Sequence, residues 1–213
     1  MARTFTNNTM YMSKASAVLT VVPMTFAAWI NITTIANYPT VIEITNGATR
    51  TDFFNLFVDG VSGFAKAEIS HSGTTGNAIS TLAVGTSAWY HVCSVFASAT
   101  SRIVYVNGGN SGTDATNITP SGLTLTSMAG DAVGNEFDGT FAFPAIWNVA
   151  LSAADVASLA TGVHPRLVHP EALVACLNLT GGNSPEPDLV SATSWTLTGS
   201  STVAANPRIY KPL

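Results

Sequence analysis

Apolar residues fall on every second position through much of this chain, and a period of two is incompatible with a helical fold. From Thr25 to Ile32, Phe26, Ala28, Ile30 and Ile32 share one face, because successive side chains on a strand point to opposite sides. Phe64 to Ile69 repeats the pattern, with Ala65, Ala67 and Ile69 inward and Lys66 and Glu68 outward. Asp52 to Val58 is apolar on both faces, Phe54, Leu56 and Val58 opposite Phe53 and Phe57, which predicts a strand covered on two sides. Val, Ile, Thr and Phe dominate these runs, and clusters of Gly, Asn, Ser and Pro separate them, as in an all-β chain.

The turn chemistry orders the strands. Asp59-Gly60 predicts a reversal between two of them. Trp89 to Phe96 and Arg102 to Val106 read as a hairpin across the small polar segment 97–101, and Asn107-Gly108-Gly109 tolerates the positive φ of an abrupt turn. Residues 110–121 are polar and Gly/Thr-rich and read as a long loop. One segment breaks the pattern: Ser152 can cap a helix with Asp155 three residues on, Val156 and Leu159 face inward, and Gly162 can end it. This predicts one short surface helix. Prolines then bracket an extended strap, His164 to Pro170, and strand character returns at Leu173 to Leu179 and Ser194 to Leu197. Residues 1–163 are therefore read as a β-sandwich. Residues 164–213 are read as an extension that completes it or acts as a docking arm, with Pro207 to Leu213 as its tail.

Charge excludes some classes of function. Only 9% of the residues are charged, against about 25% in ordinary soluble domains, and the net charge is −4. No basic footprint exists to steer the chain toward phosphates, so nucleic acid is not an expected partner. With 9% aromatics and so few charges, disorder is excluded as well. The apolar stretch from Ala15 to Ile32 is broken by Pro23 and by Ser16, Thr20, Thr25 and Asn31, so it predicts no membrane helix. Arg3 is followed by the polar run Thr4 to Thr9 rather than a signal core, so an unsecreted product made in a host cytoplasm is expected. Cys93 and Cys176 lack zinc spacing and read as small buried residues; whether they pair is open.

Four segments in order carry a family resemblance: Pro23 to Ile30, Trp89 to Phe96, Arg102 to Gly108, and Phe137-Asp138-Gly139-Thr140-Phe141 running into Ala145 to Ser152. Together they resemble the laminin-G-like, concanavalin A-like lectin/glucanase superfamily over about residues 4–162. The resemblance implies an all-β jelly-roll sandwich of two antiparallel sheets. Within it Trp29, Trp89 and Trp147 are expected as anchors between the sheets, while Trp195 is the candidate for an exposed glycan contact. The stretch from Val163 to Val190 resembles an extension seen in bacteriophage and prophage members, where the domain is a virion component.

Catalysis is not expected. Glycoside hydrolases of the superfamily use two carboxylates alternating on one strand, and no such pair occurs here. Glu43, Glu68, Asp52 and Asp59 are read instead as solvated or turn residues. His71, His91, His164 and His169 have no titratable partner at a diagnostic spacing. Calcium is the cofactor to consider, since lectin members bind it through loop oxygens, and Asp131, Asn135, Glu136 and Asp138 cluster near a Gly-rich turn. Ala142 and Phe143 stand where the family often has further acids.

The expected function is a non-enzymatic bacteriophage virion protein, a capsid decoration or cementing subunit. Its expected partners are the major capsid protein and further copies of itself. The alternative is a carbohydrate-binding module of a phage fibre or spike, using Trp195 and the loop from Asn107 to Asn117.

Overall fold

Strand alternation is realised in two stacked antiparallel sheets, with the inward residues of each forming one core. The computed structural model describes residues 1–6, 10–47, 49–131, 134–135, 137–180, 184–191 and 193–207. The first sheet runs β10 (Gly109–Asp114), β9 (Ser101–Val106), β8 (Tyr90–Ser98), β3 (Met24–Ile32), β12 (Gly139–Trp147), β1 (Ala2–Phe5) and β16 (Thr202–Ala204). Strand β13 (Leu173–Cys176) pairs with the far half of β12. The second sheet runs β14 (Glu186–Pro187), β15 (Ser194–Thr198), β2 (Tyr11–Lys14), β11 (Leu125–Met128), β4 (Thr40–Thr45), β5 (Phe53–Val58), β6 (Phe64–His71) and β7 (Thr74–Ala83).

Phe26, Ala28, Ile30 and Ile32 from β3 meet Phe54, Leu56 and Val58 from β5 and Ala65, Ala67 and Ile69 from β6 in the core between the sheets. Phe26 and Phe54 both set ring edges against Phe96 at 5.5 and 5.2 Å, an arrangement that adds about 0.5–1.5 kcal/mol per pair. The segment after Asn107 departs from the loop expectation. Asn107-Gly108 turns into β10, which pairs with β9, and only the remainder of 110–121 is irregular. Gly112 shows why β10 sits there: a Cβ on it would lie 1.7 Å from the Ile79 carbonyl oxygen of β7. The edges of the two sheets thus cover one another by a backbone approach that only glycine permits.

A second apolar cluster lies on the other face of the first sheet. Helix α1 (Ala153–Ala160) buries Val156 and Leu159 there beside Cys93, Trp147, Leu173 and Cys176. Its start is the reciprocal Ser152/Asp155 capping box. A two-turn helix is marginal alone, so the burial of Val156 and Leu159, about 1.5–3 kcal/mol each, holds it in place.

The tryptophans depart from expectation. Trp29 alternates with the inward Ala28 and Ile30 and so points away from the core, where it is half-buried with its ring against His91. Trp89, just before β8, is half-buried as well. Trp147 is buried in the second cluster, where its Nε1–H donates to the Val168 carbonyl at 2.8 Å. Trp195 is the tryptophan between the sheets. It is 0% exposed, and its Nε1–H donates to Asp188 at 3.3 Å.

Residues after α1 are woven into both sheets: β13 and β16 join the first, β14 and β15 the second. A buried Arg3–Glu186 ion pair at 2.6 Å ties the two ends of the chain together. The tail from Arg208 to Leu213 lies outside the described residues. Cys93, Ala27, Ala145 and Cys176 occupy one register row across β8, β3, β12 and β13. Three strand spacings, about 14 Å, therefore separate the cysteines, and both are free. Among the described residues no helix is long and apolar enough to cross a membrane.

Candidate functional site

Pairing in the second sheet aligns polar residues that lie far apart in sequence. The register places Ser127 opposite Glu43, Glu43 opposite Asn55, Asn55 opposite Glu68, and Glu68 opposite Asn77. On the other side the row continues through Ser13 to Thr196. All seven side chains alternate with core residues and so lie on the outer face. The polar row crosses seven strands at right angles to the chain.

Over this row opens a groove of about 450 Å³, lined among others by Tyr38, Arg50, Asn55, Phe57, Lys66, Glu68 and Asn77. That volume lies within the ~300–1,000 Å³ usual for small-molecule sites. The outer face of β5 is covered by side chains rather than by a second layer of structure. Arg50 lies 4.5 Å over the Phe53 ring, Lys66 5.8 Å from the Phe57 centroid, and Tyr38 sets its ring 6.3 Å from Phe57. Tyr38 is 48% exposed, so an aromatic rim stands beside the polar floor. Tyr38 and Arg50 both hold positive φ, 53° and 45°. Such backbone is costly for side chains of this size and concentrates at binding and catalytic sites.

Glu43, Asp52 and Asp59 are buried rather than solvated, which corrects that part of the sequence expectation, while Asp59 serves the 61–62 turn as the reading allowed. Glu43 is 0% exposed, Asp52 6% and Asp59 8%, while Glu68 is half-buried. Each is compensated: Glu43 by Arg50 at 2.6 Å, and Asp59 by Lys66 at 2.6 Å and by the 61–62 turn amides. Asp52 accepts from the Ser121 amide and pairs with His71 at 2.5 Å. Burial lifts the Glu43 carboxyl to about 7 although Arg50 opposes it, and burial likewise raises Glu68 against the pull of Asn77 and Arg50. Asp52 goes the other way. Burial raises it, but the hydrogen bonds from His71, Ser121 and Thr51 together hold it down at about 2. The Lys66 hydrogen bond and the Ser62 amide lower Asp59.

The row is under-satisfied. Ser127 Oγ, Glu43 Oε1, Asn55 Oδ1 and Asn77 Oδ1 are buried with no hydrogen-bond partner. Native interiors leave few such atoms, and four of them fall on this one row. Sequence reasoning missed this site because it looked for two acids alternating along one strand. The signal was present only as outward positions on neighbouring strands, and pairing register was needed to align them.

The sequence candidates distribute differently. Asp131 accepts from the Asn135 amide at 2.9 Å and its side chain at 2.6 Å, and lies 3.6 Å from Arg50 Nε. These two therefore meet at the groove's edge, held by donors rather than arranged as free ligands. Asp138 contributes its backbone carbonyl to Thr33 N at 2.8 Å, and Glu136 lies outside the described residues. Among the described residues no three His, Cys, Asp or Glu side chains converge on a metal position. Trp195, the proposed exposed contact, is in the core, because alternation in β15 turns Ser194 and Thr196 outward and Trp195 inward. His91 is buried beside Trp29, where desolvation pushes it down to about 3. His164 faces Asn178 at 3.2 Å, and His169 lies between Asp155 and Glu171.

Residues 6–157 match the family model of the concanavalin A-like lectin/glucanases superfamily. The chain belongs to this superfamily. Among solved structures of the same fold, it is similar to a Bacteroides ovatus ATCC 8483 protein described as carbohydrate binding (TM-score 0.70, 19% identity, 94% of this chain and 58% of that one). It is also similar to the CBM40 of the Ruminococcus gnavus IT-sialidase bound to α2,3 sialyllactose (0.61, 14%, 74% and 95%). A third is domain 4 of the Geobacillus stearothermophilus arabinanase AbnA in complex with arabinotriose (0.60, 16%, 70% and 72%). No curated protein sequence matches significantly.

Proposed function

We propose that this chain is a non-catalytic carbohydrate-binding domain whose ligand lies in the groove over the Glu43–Asn55–Glu68–Asn77 row. The observation that carries the reading is this cross-strand row, with unpartnered oxygens at Glu43, Asn55 and Asn77 beside the Tyr38–Phe57 rim. A sugar offers hydroxyls to the polar floor and C–H faces to an aromatic ring. The neighbours described as carbohydrate binding, or solved with an oligosaccharide, add to the reading. Two carboxylates stand on the row, but Arg50 clamps the buried Glu43 at 2.6 Å, which removes it from the acid–base pair that glycoside hydrolysis requires.

The test is a glycan array followed by calorimetry on the full chain. Tyr38→Ala, at an exposed position, and Asn77→Ala are expected to weaken the best hit at least tenfold each, with unchanged melting and no release of reducing ends. Undiminished binding in both variants refutes the assignment.

The finer expectation concerns the virion. A glycan module on a phage fibre or spike is the form of that expectation the groove favours. Capsid decoration rests on the sequence alone: the sparse charge, the proline-bounded termini, the lack of catalytic groups and the resemblance of the C-terminal stretch. Quantitative mass spectrometry of purified particles separates them: a handful of copies fits a fibre, and near-capsid stoichiometry fits decoration.

A further inference from the structure

Resting on that glycan reading, we infer that the groove selects neutral, hydroxyl-rich sugars and rejects acidic ones, because acids outnumber cations around it and each cation is already paired with an acid. Both cations are already paired. Lys66 Nζ donates to Asp59 at 2.6 Å, and Arg50 donates to Glu43 at 2.8 Å from Nε and lies 2.6 Å from it through Nη2. Asn77 Nδ2 donates to Glu68 at 3.4 Å. What remains along the floor is the Asn55 side-chain amide and the rest of the Glu68 carboxylate.

A sugar hydroxyl both donates and accepts, so it can pair with either group. An ionised carboxylate or sulfate only accepts, so it cannot pair with the Glu68 carboxylate. The fixed charges point the same way. Two cations, Arg50 and Lys66, stand against four acids at or beside the groove: Glu43, Asp59, Glu68 and Asp131. An anionic ligand would have to break one of the existing ion pairs or face an uncompensated carboxylate. Both routes cost far more than an exposed charge contact returns. Glu68 is the residue that sets the discrimination, being the half-buried acid on the floor paired with an amide rather than a cation.

The experiment titrates the full chain at pH 7 with a neutral oligosaccharide found on the array and with the same oligosaccharide carrying a sialic or uronic acid. The parent protein is expected to bind the neutral form at least tenfold more tightly. Glu68→Gln, which keeps the shape and exchanges an acceptor for a donor, is expected to narrow that ratio at least threefold. Acidic forms binding as tightly as neutral ones, with binding still lost in Tyr38→Ala, overturn the selectivity but leave the glycan site standing. Binding that survives both Tyr38→Ala and Asn77→Ala overturns the site itself. Melting curves of Glu68→Gln, and its retained affinity for the neutral sugar, separate a change in selectivity from misfolding.

Discussion

Glu43→Gln preserves the shape of the most deeply buried acid in the groove and removes its charge. In the folded chain burial lifts this carboxyl from 4.5 to about 7, against the pull of Arg50. Between those values the native state holds a proton that the unfolded chain has released, so the native state binds more protons and stability falls as pH rises. The move from 4.5 to about 7, at ~1.4 kcal/mol per pH unit, corresponds to about 3 kcal/mol. The contribution is complete below about pH 4.5 and lost as pH rises through about 7. Glutamine does not titrate, and Arg50 keeps Asp131 at 3.6 Å, so the variant should lack this slope. Urea unfolding of both proteins at fixed ionic strength, from about pH 4 to about pH 8, should show the stability difference, variant minus parent, rising by about 3 kcal/mol. Parallel pH profiles would refute the argument that desolvation outweighs the Arg50 pairing at Glu43.

Trp195→Ala empties a large site between the sheets and strands an acceptor on Asp188, so a loss of about 3–5 kcal/mol is expected by chemical denaturation. Glycan affinity of the folded fraction should not change; a large affinity loss would return Trp195 to the binding surface. Gly112→Ala drives a Cβ into the Ile79 carbonyl and should separate β10 from β7 at a cost above about 3 kcal/mol, whereas Gly109→Ala, with open space around it, should cost under about 1 kcal/mol. Equal melting temperatures for the two would show that the edges do not close against each other. Cys93 and Cys176 are buried, burial raising both thiols and Cys176 to about 12, so a thiol reagent should find both only after unfolding. A failure to label either in denatured, unreduced protein would mean that they are paired.

Period-two alternation was enough to find β3, β5, β6, β8, β9 and the faces they bury, because in a half-buried strand the inward residue is set by parity alone. The helix was legible from the Ser152/Asp155 box for a similar local reason. Tertiary context defeated the rest. Parity from Phe26 to Ile32 already puts Trp29 on the outer face, but residue size suggested the core. In β12 the irregularity between Ala142 and Ala145 precedes Trp147, which lands in the cluster beneath α1. Residues Gly109 to Asp114 carry little β propensity and become a strand because β9 and β7 flank them. The candidate site was the least legible part. Glu43, Asn55, Glu68 and Asn77 are separated by hairpins, and only the pairing register makes them neighbours.

Six of the chain's twenty Asp, Glu, Lys and Arg residues, namely Glu43, Arg50, Asp59, Lys66, Glu68 and Asp131, stand in or beside one groove. A protein this sparing of charge has not placed it there for stability. Burying an ion pair such as Glu43–Arg50 commonly leaves a protein no more stable than apolar residues of the same volume would, and the unpartnered oxygens along the row add desolvation without return. A row of buried and half-buried acids and amides on the outer face of one sheet is what a recognition surface looks like when the core between the sheets supplies the stability it gives up.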